Sequence, residues 1–393
     1  MSSEILIAII GGGVIGCAVA RELSHRYEGI FLFEKNPGIT RGENQSSRNS
    51  GVIHSGIYYD QKTRLQKAAL CVEGNRLLYE FCDHYQVPAL KTGKLIVATT
   101  DEEDSVLDLY LARAEENGVP GVKKITGRLV AELEPNVRAL SALEVPSAGI
   151  VDPTSLVYRL HTLAHQAGVA FMVQTEVVDL HGDGSFIELT VRYRDGAMDK
   201  IRARAVINVA GVDADRMAGR FNPDSSYELD PVRGESYKFY SHKRPELKLV
   251  RKNIYPTPEL VVTPHGHYFT VGIHLTPTFA DLSFPSFLGS TVIVGPKLVP
   301  VEDRNAWAGS WTPADVYAEK VRRFFPNLRD DDLTWHQAAI QARLKDFPDF
   351  VMEHDTQCPE FINLLGIDSP GLTSCLAVAR RVAKMLDRIG ILA

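Results

Sequence analysis

The sequence has few cysteines for its length: five among 393 residues, and no Cys-x-x-Cys pair. They are odd in number and lie far apart, at Cys17, Cys71, Cys82, Cys358 and Cys375. Such a set argues against the disulfide framework of small secreted proteins and against a thiolate zinc centre. We therefore expect reduced thiols in a reducing compartment, and hence a cytoplasmic protein.

An excess of basic charge is also missing, because 43 Lys and Arg face 49 Asp and Glu for a net charge of -6. This balance gives no reason to expect nucleic acid or a strongly anionic membrane surface as a partner. No segment is long and apolar enough to predict a transmembrane helix. The apolar run 5–20 lacks the basic start of a signal peptide. Peripheral contact with the inner membrane is left open.

A metal centre is not expected either. His161 and His165 lie four residues apart on a predicted helix, which is the spacing of a zinc-binding pair. The glutamate of the His-Glu-x-x-His motif is missing, however, and no third ligand is evident. We expect a surface pair of histidines and no bound metal.

The N-terminal segment carries the most informative pattern. An apolar strand leads into Gly11-Gly12-Gly13-Val14-Ile15-Gly16 and an amphipathic helix, and a second apolar strand ends at Glu34-Lys35. Glycines permit a tight turn close to a pyrophosphate, which the helix N-terminus stabilises. Glu34 would accept hydrogen bonds from ribose hydroxyls and repel a 2′-phosphate, which disfavours NADP. The pattern predicts dinucleotide binding by Gly11, Gly13, Val14, Ile15, Gly16, Glu34 and Lys35.

Three later segments favour FAD over NAD. The predicted strand 205–209 runs into Ala210-Gly211, a strand end with small residues that can pack against a bound dinucleotide. Thr175-Glu176-Val177 follows a short predicted strand and would offer its backbone edge to adenine. The last helix opens at Ser369-Pro370-Gly371-Leu372-Thr373, where its amides would face the flavin C2=O and stabilise negative charge at N1. An NAD-dependent dehydrogenase needs neither the 175–177 segment nor this helix start. We expect cofactor contacts from Val177, Ala210, Gly211, Pro370, Gly371, Leu372 and Thr373.

The segments of dinucleotide type lie at both ends of the chain and around 206–211, with sheet-rich segments between them. At 393 residues two domains are the natural expectation. The order along the chain predicts that these domains are interleaved rather than consecutive.

The run from Ser46 to Tyr59, with the sequence Ser-Ser-Arg-Asn-Ser-Gly-Val-Ile-His-Ser-Gly-Ile-Tyr-Tyr, resembles the L-2-hydroxyglutarate dehydrogenase/oxidase family. That family belongs to the D-amino-acid-oxidase-like, glutathione-reductase-type flavoproteins. Matches continue in family order through 71–74, 93–99, 149–152, 254–256, 272–276, 295–296 and 369–370. The resemblance covers nearly the whole chain. Several motifs are shared across the wider superfamily, so they indicate flavin oxidation better than they indicate the substrate.

The resemblance implies an α/β fold (α+β overall) that binds one FAD. A doubly wound, Rossmann-type FAD domain would comprise 1–85, 146–230 and 340–393. A substrate domain, 86–145 and 231–339, would place a large mixed β-sheet over the flavin. The segment Ser46, Ser47, Arg48, Asn49, Ser50 and Gly51 would contact the cofactor, with Arg48 serving the pyrophosphate or its loop. Covalent attachment of FAD at the position of His54 is left open.

Oxidation of a 2-hydroxy acid requires a base for the hydroxyl proton and cations or donors for the carboxylates. The resemblance places His54 beside the flavin and His274 on a substrate-domain strand, and either is a candidate base because histidine titrates near neutral pH. Arg233, Tyr237 and Tyr255 form a candidate carboxylate-binding set.

One position departs from the family pattern. D-amino-acid-oxidase-like enzymes carry a Gly-x-Arg-Pro motif whose arginine binds the substrate carboxylate, whereas this chain reads Ala339-Ile340-Gln341-Ala342-Arg343. A neutral amide at Gln341 cannot make the bidentate charged pair. Arg343 would share its face on a strand and is a candidate substitute.

The leading hypothesis is an FAD-dependent oxidoreductase that converts a small 2-hydroxy acid to the 2-oxo acid, with L-2-hydroxyglutarate as first candidate. An amine or amino-acid oxidase of the glycine or sarcosine oxidase type is an alternative. A non-catalytic flavin-binding scaffold is another, supported only by Gln341. The electron acceptor, oxygen or a quinone, and the oligomeric state are left open.

Overall fold

The computed structural model describes residues 3–182, 184–247, 250–263, 266–280, 282, 288–307 and 309–391. Its helices are α1 Val14–Leu23, α2 Leu65–Tyr85, α3 Asp101–Glu116, α4 Gly127–Leu133, α5 Pro153–Gln166, α6 Ala214–Phe221, α7 Ala314–Arg322 and α8 Gly371–Ile389. Its strands are β1 Ser3–Ile10, β2 Ile30–Glu34, β3 Val52–Ile53, β4 Ala89–Leu90, β5 Lys94–Ala98, β6 Lys123–Thr126, β7 Ser141–Val145, β8 Gly149–Val151, β9 Ala170–Val173, β10 Thr175–Gly182, β11 Ile187–Tyr193, β12 Met198–Asn208, β13 Val232–Tyr240, β14 Asn253–Pro256, β15 Glu259–Thr263, β16 Gly266–Thr270, β17 Leu275–Phe279, β18 Leu288–Pro300, β19 Leu333–Gln341, β20 Val351–His354 and β21 Phe361–Leu365.

The first large sheet has the order β10-β11-β12-β1-β2-β9, and β21 adds to β12 with β20 beside it. The pairs of β1 with β12, β1 with β2, β2 with β9 and β12 with β21 are parallel. Strand β1 is apolar from Ile5 to Ile10, as expected for a strand that is covered on both faces. Ile7 and Ile9 pack with α1, α5 and α8, and Ala8 packs on the opposite side. These parallel strands with covering helices form the doubly wound part of the fold.

The second large sheet has the order β19-β13-β18-β17-β14-β5-β7-β6. It is mixed, because β14 runs parallel to β5 while the other pairs are antiparallel. Helix α7 covers one face, where Tyr317 and Val321 are fully buried with Phe239 and Leu275. The opposite face of β13 borders a deep cleft, described below.

The interleaved α/β fold with a mixed second sheet confirms the predicted fold class. The strands of the first sheet lie within the ranges expected for the FAD domain. Those of the second sheet lie within the ranges expected for the substrate domain, except that β19 extends two residues past 339. The domain boundaries themselves stay a prediction. Across the part of the chain that the structure covers, no helix combines the length and apolar character needed to cross a bilayer.

Candidate active site

The glycine turn packs α1 directly against the parallel strands. Gly11 has φ +115°, and a Cβ there would lie 2.5 Å from the carbonyl oxygen of Val209. A Cβ on Gly16 would lie 1.9 Å from the carbonyl oxygen of Gly11. Only glycine fits at these two positions, so the turn is as tight as the sequence predicts.

The buried carboxylate of Glu34 supports this turn. One oxygen accepts a hydrogen bond of 2.8 Å from the amide of Gly12, and the other accepts one of 2.7 Å from the amide of Asn36. The Asn36 side chain also donates to Oε1, at 2.8 Å, so the lone pair that remains for a ribose hydroxyl is on Oε2, the oxygen that binds the Gly12 amide. The ribose contact stays a prediction, whereas a role in holding the glycine turn is visible.

Two helix N-termini open into one cleft of about 1050 Å³. At α1, the amide of Val14 donates to the hydroxyl of Ser46 at 2.9 Å. At α8, no described side chain caps the first turn. The predicted cofactor residues that line the cleft are Gly13, Val14, Ile15, Ser46, Arg48, Asn49, Ser50, Gly211, Pro370, Gly371, Leu372 and Thr373. Two positive dipole ends in one long cleft fit a pyrophosphate and a flavin C2=O, so the residues present fit FAD.

Other predicted cofactor residues are not part of this lining. Lys35 forms ion pairs with Asp213 at 2.9 Å and Glu43 at 3.2 Å. Val177 is buried in the core beneath the first sheet, and its backbone pairs with β11. For these two, as for Ser47, Gly51 and Ala210, a cofactor contact stays a prediction.

Arg48 connects the segment 46–51, called the cofactor loop below, to the second sheet. Its guanidinium lies 4.1 Å from the ring centroid of Trp307 and donates to the carbonyl oxygen of Ala338 at 3.4 Å. The side chain of Gln337 donates back to the Arg48 carbonyl at 2.9 Å. The structure therefore gives Arg48 a role in positioning its loop.

His54 lies between the cofactor loop and α8. Its amide donates to the hydroxyl of Thr373 at 3.0 Å, and its carbonyl accepts from the side chain of Asn75 at 2.8 Å. The ring Nε2 lies 3.4 Å from the hydroxyl of Ser369, while Nδ1 is buried without a partner among the described residues. Burial, together with the charge of Lys94, lowers the pKa of His54 well below its ordinary value. The imidazole is therefore neutral.

His274 is buried and lines the same cleft. Its ring stacks on Tyr255, with centroids 3.8 Å apart and an angle of 15° between the planes. Nδ1 lies 3.2 Å from the carbonyl oxygen of Gly272, which can only accept, so Nδ1 carries the proton. Nε2 is left as a buried acceptor without a described partner. Burial, with the nearby charge of Lys94, lowers the pKa of His274 to about 3.

Arg233 and Tyr237 do not belong to the cleft, so the predicted carboxylate-binding set is wrong for these two residues. Arg233 pairs with Glu235 at 2.6 Å, and Tyr237 donates to the carbonyl oxygen of Thr312 at 2.9 Å. Both side chains point to the α7 face of the second sheet. Because side chains alternate along a strand, their neighbours Gly234 and Ser236 line the cleft instead.

Tyr255, Gln341 and Arg343 all line the cleft, and substrate binding by them stays a prediction. Gln341 is the last residue of β19, opposite Val232. Arg343 follows two residues later, with its Nε 3.9 Å from a carboxylate oxygen of Asp368. The cleft wall therefore carries an amide and a guanidinium at the end of the strand.

Sequence reasoning missed two buried lysines near this cleft. Lys67 pairs with Asp368 at 2.7 Å, with both side chains buried. Lys94 is fully buried, and its ammonium has no hydrogen-bond partner among the residues described. The sequence carried one signal for Lys94: it begins an otherwise apolar strand inside the run 93–99 that matches the family.

The His161 and His165 pair packs against Phe171, with the His161 ring centroid 4.2 Å from that of Phe171. Within the described ranges, no three His, Cys, Asp or Glu side chains lie together in a way that could hold a metal ion.

Comparison with known proteins places this cleft in a family. A family model described as FAD dependent oxidoreductase matches residues 7–385. The mitochondrial L-2-hydroxyglutarate dehydrogenase of Caenorhabditis elegans is 32% identical over 415 residues, covering 96% of this chain and 92% of the relative. A glycerol 3-phosphate dehydrogenase of Caloramator mitchellensis is 29% identical, covering 98% of this chain and 74% of the relative.

Among solved structures, the fold is similar to that of dithionite-reduced L-alpha-glycerophosphate oxidase from Mycoplasma pneumoniae with FAD bound. The TM-score is 0.84 at 23% identity, over 98% of this chain and 95% of that chain. The resemblance inferred from the motifs is thereby confirmed. The chain belongs to the D-amino-acid-oxidase-type family of FAD-dependent oxidoreductases, uses FAD as its cofactor, and is similar over nearly its full length to L-2-hydroxyglutarate dehydrogenases.

Proposed function

We propose that this enzyme oxidises a small 2-hydroxy acid to the 2-oxo acid, with L-2-hydroxyglutarate as the first substrate to test. The observation that carries the proposal is the neutral, acceptor-only Nε2 of His274 at a cleft whose wall also holds Arg343. A hydroxy acid presents the two groups that such a cleft accommodates: a hydroxyl that must lose a proton, and a carboxylate. The relative from C. elegans, named as a dehydrogenase of this substrate, supports the choice.

Bound FAD would supply the acceptor for the hydride from C2 of the substrate. The α1 N-terminus with Ser46 would hold the pyrophosphate, and the α8 N-terminus at Gly371 would face the flavin. His274 would take the hydroxyl proton at Nε2, because its Nδ1 is committed to the Gly272 carbonyl. His54, hydrogen-bonded through its backbone to Thr373, would hold the flavin end of the cleft in place.

Carboxylate binding would fall to the end of β19. Arg343 supplies a guanidinium, and Gln341 supplies an amide in place of the family arginine. The charge of Asp368 is already paired with Lys67 at 2.7 Å, whereas Arg343 lies 3.9 Å from it.

A stopped-flow panel on the purified holoenzyme tests the proposal. Under anaerobic conditions, flavin absorbance is followed after mixing with L- and D-2-hydroxyglutarate, other 2-hydroxy acids, glycine, sarcosine and glycerol 3-phosphate. We expect the flavin to bleach with a 2-hydroxy dicarboxylate. Bleaching by an amino acid alone would favour the amine-oxidase alternative, and no bleaching by any compound would favour a non-catalytic scaffold.

Glycerol 3-phosphate oxidation is a second candidate. The glycerol 3-phosphate dehydrogenase of C. mitchellensis is 29% identical to this chain, and the neutral Gln341 weakens the case for a family-type carboxylate site. The same panel separates the two, because only one of them requires a carboxylate next to the oxidised carbon.

A further inference from the structure

Lys94 is a buried lysine with no ion-pair partner among the residues that the structure describes. It is the first residue of β5, where its backbone pairs with Asn253 on one side and Val145 on the other. The residue is 0% exposed, and Nζ has no hydrogen-bond partner among the described residues. An isolated ammonium in a protein interior is unfavourable, so its presence calls for a compensating group.

The groups that face this ammonium are aromatic or neutral. Nζ lies 3.8 Å from the ring centroid of Tyr255 and 5.0 Å from that of Tyr58. The other titratable groups acting with it are Cys71 of α2, His54 and His274. Burial raises the pKa of the Cys71 thiol and of both tyrosines, and it lowers the pKa of both histidines. All five side chains are therefore neutral near pH 7.

The same side chains form the cleft wall. Tyr58, Tyr255, His54 and His274 all line the cleft, and each keeps one buried polar atom without a partner among the residues that the structure covers. Lys94 therefore stands directly behind a wall of unsatisfied polar groups. Aromatic rings stabilise a nearby cation only modestly. The electrostatic field of the Lys94 ammonium therefore extends across the Tyr255 ring to a ligand in the cleft.

We propose that Lys94 is a positioning residue for anionic ligands: its ammonium attracts a carboxylate in the cleft through the Tyr255 side of the wall. The assignment rests on the proposed oxidation of a carboxylate substrate, and it supplies a positive charge that Gln341 does not. Lys94 acts across the Tyr255 ring, because its own side chain does not reach the cleft surface.

The proposal has a consequence for pH. Burial lowers the pKa of Lys94 to about 7. The ammonium is therefore charged below about pH 7 and loses its proton as the pH rises above that value. Anion affinity should be highest on the acid side and should fall between pH 6 and 8. The histidines add nothing in this window, because the pKa of His274 is about 3 and that of His54 is also well below its ordinary value.

Binding of glutarate to the oxidised holoenzyme tests the proposal without turnover. Glutarate has two carboxylates and no 2-hydroxyl, and its uncharged diamide, glutaramide, serves as the neutral probe. Both are titrated by flavin absorbance changes and by calorimetry into the wild type, Lys94→Met and the control Lys91→Met. Lys91 is exposed and also lies over a ring, 4.9 Å from the centroid of Tyr79.

For Lys94→Met we expect glutarate binding at pH 6 to weaken about tenfold or more, and its pH dependence between 6 and 8 to disappear. Glutaramide binding and FAD content should stay unchanged. The melting temperature should stay the same or rise, because an unpaired buried charge is removed. Lys91→Met should behave like the wild type throughout.

Unchanged glutarate affinity and pH dependence in Lys94→Met would overturn the proposal, and so would a wild type that binds no glutarate. Equal weakening of glutarate and glutaramide, with a lower melting temperature in both Lys94→Met and Lys94→Gln, would show that the lysine is structural. Failure of the 2-hydroxy acid panel is a separate result, because glutarate binding does not depend on which compound reduces the flavin.

Discussion

The His274 ring lies flat on the Tyr255 ring, with 3.8 Å between centroids, so the tyrosine determines where the histidine Nε2 points. The Gly272 carbonyl determines which nitrogen is protonated, since it accepts from Nδ1. Orientation and tautomer of this candidate base are thus set by two different neighbours.

Replacing the base should slow the chemical step. We expect His274→Asn to lower the rate of anaerobic flavin reduction by about a hundredfold or more, because the hydroxyl proton loses its acceptor. His181→Asn is the control, since His181 pairs with Glu188 on the surface at 3.3 Å. Unchanged reduction in His274→Asn would rule out His274 as the base and would shift attention to His54.

The pH profile of the wild type follows from the same geometry. Because the pKa of His274 is lowered to about 3, the imidazole is in its acceptor form throughout pH 5 to 9. The rate of flavin reduction at saturating substrate should therefore show no loss with an apparent pKa near 6.5. A protonation step near 6.5 that disappears in His274→Asn would contradict this prediction. Stopped-flow rates at half-unit intervals of pH provide the measurement.

Adding a side chain in the glycine turn should prevent cofactor binding. In Gly16→Ala the new Cβ would meet the Gly11 carbonyl oxygen at 1.9 Å, so α1 must move away from the strands. We expect loss of bound FAD and a melting temperature several degrees lower. Gly219→Ala, in α6 with open space around it, should instead be neutral or stabilising by about 0.5–1 kcal/mol. Full FAD content in Gly16→Ala would show that the turn has room to relax.

The buried pair of Lys67 and Asp368 should matter for stability. Lys67→Met removes the cation that lies 2.7 Å from the buried Asp368 carboxylate, whereas Arg343 lies 3.9 Å away. We expect a loss of about 3–5 kcal/mol in the free energy of unfolding. The double variant with Asp368→Asn should recover much of that loss. The exposed pair of Arg76 and Glu80 provides the contrast, since Arg76→Met should cost less than about 1 kcal/mol. Equal losses in the two single variants, measured by denaturant unfolding, would contradict the assignment.

Removing the guanidinium at the end of β19 should weaken substrate binding. We expect Arg343→Met to raise the Kd of a 2-hydroxy dicarboxylate about tenfold to a hundredfold, because a charge-assisted hydrogen bond is lost. Gln341→Arg should strengthen binding or leave it unchanged, since it restores the family residue. Flavin absorbance titrations under anaerobic conditions measure both. If Arg343→Met leaves the Kd unchanged, the carboxylate is held elsewhere.

The cofactor cradle was predictable because its determinants are local. The glycine turn, Glu34 and the start of the last helix each combine a recognisable residue type with a boundary of secondary structure, and the fold places most of them along one cleft. It was harder to predict from sequence which residues of β13 face the cleft. Arg233 and Gly234 are adjacent in sequence but lie on opposite faces of β13, and the register that decides between them depends on β18 and β19.

Lys94 was beyond sequence reasoning for a different reason. A lysine before an apolar run normally marks an exposed strand end, and only the pairing of β5 with β7 and β14 encloses it.

The location of the protein in the cell also stays a prediction. The cytoplasmic expectation was drawn from the cysteine content, whereas the C. elegans relative carries a mitochondrial name.

The parallel pairing of β5 with β14 also constrains how the chain can fold during synthesis. The hydroxyl of Thr257 donates to the carbonyl of Val97 across a separation of 160 residues. Until the ribosome has released the later strand, Leu95 and its neighbours lack the partner that closes their side of the sheet. This part of the second sheet can therefore close only after residues 253–256 have been synthesised, and a nascent chain halted before residue 253 would expose an apolar strand edge to chaperones and proteases.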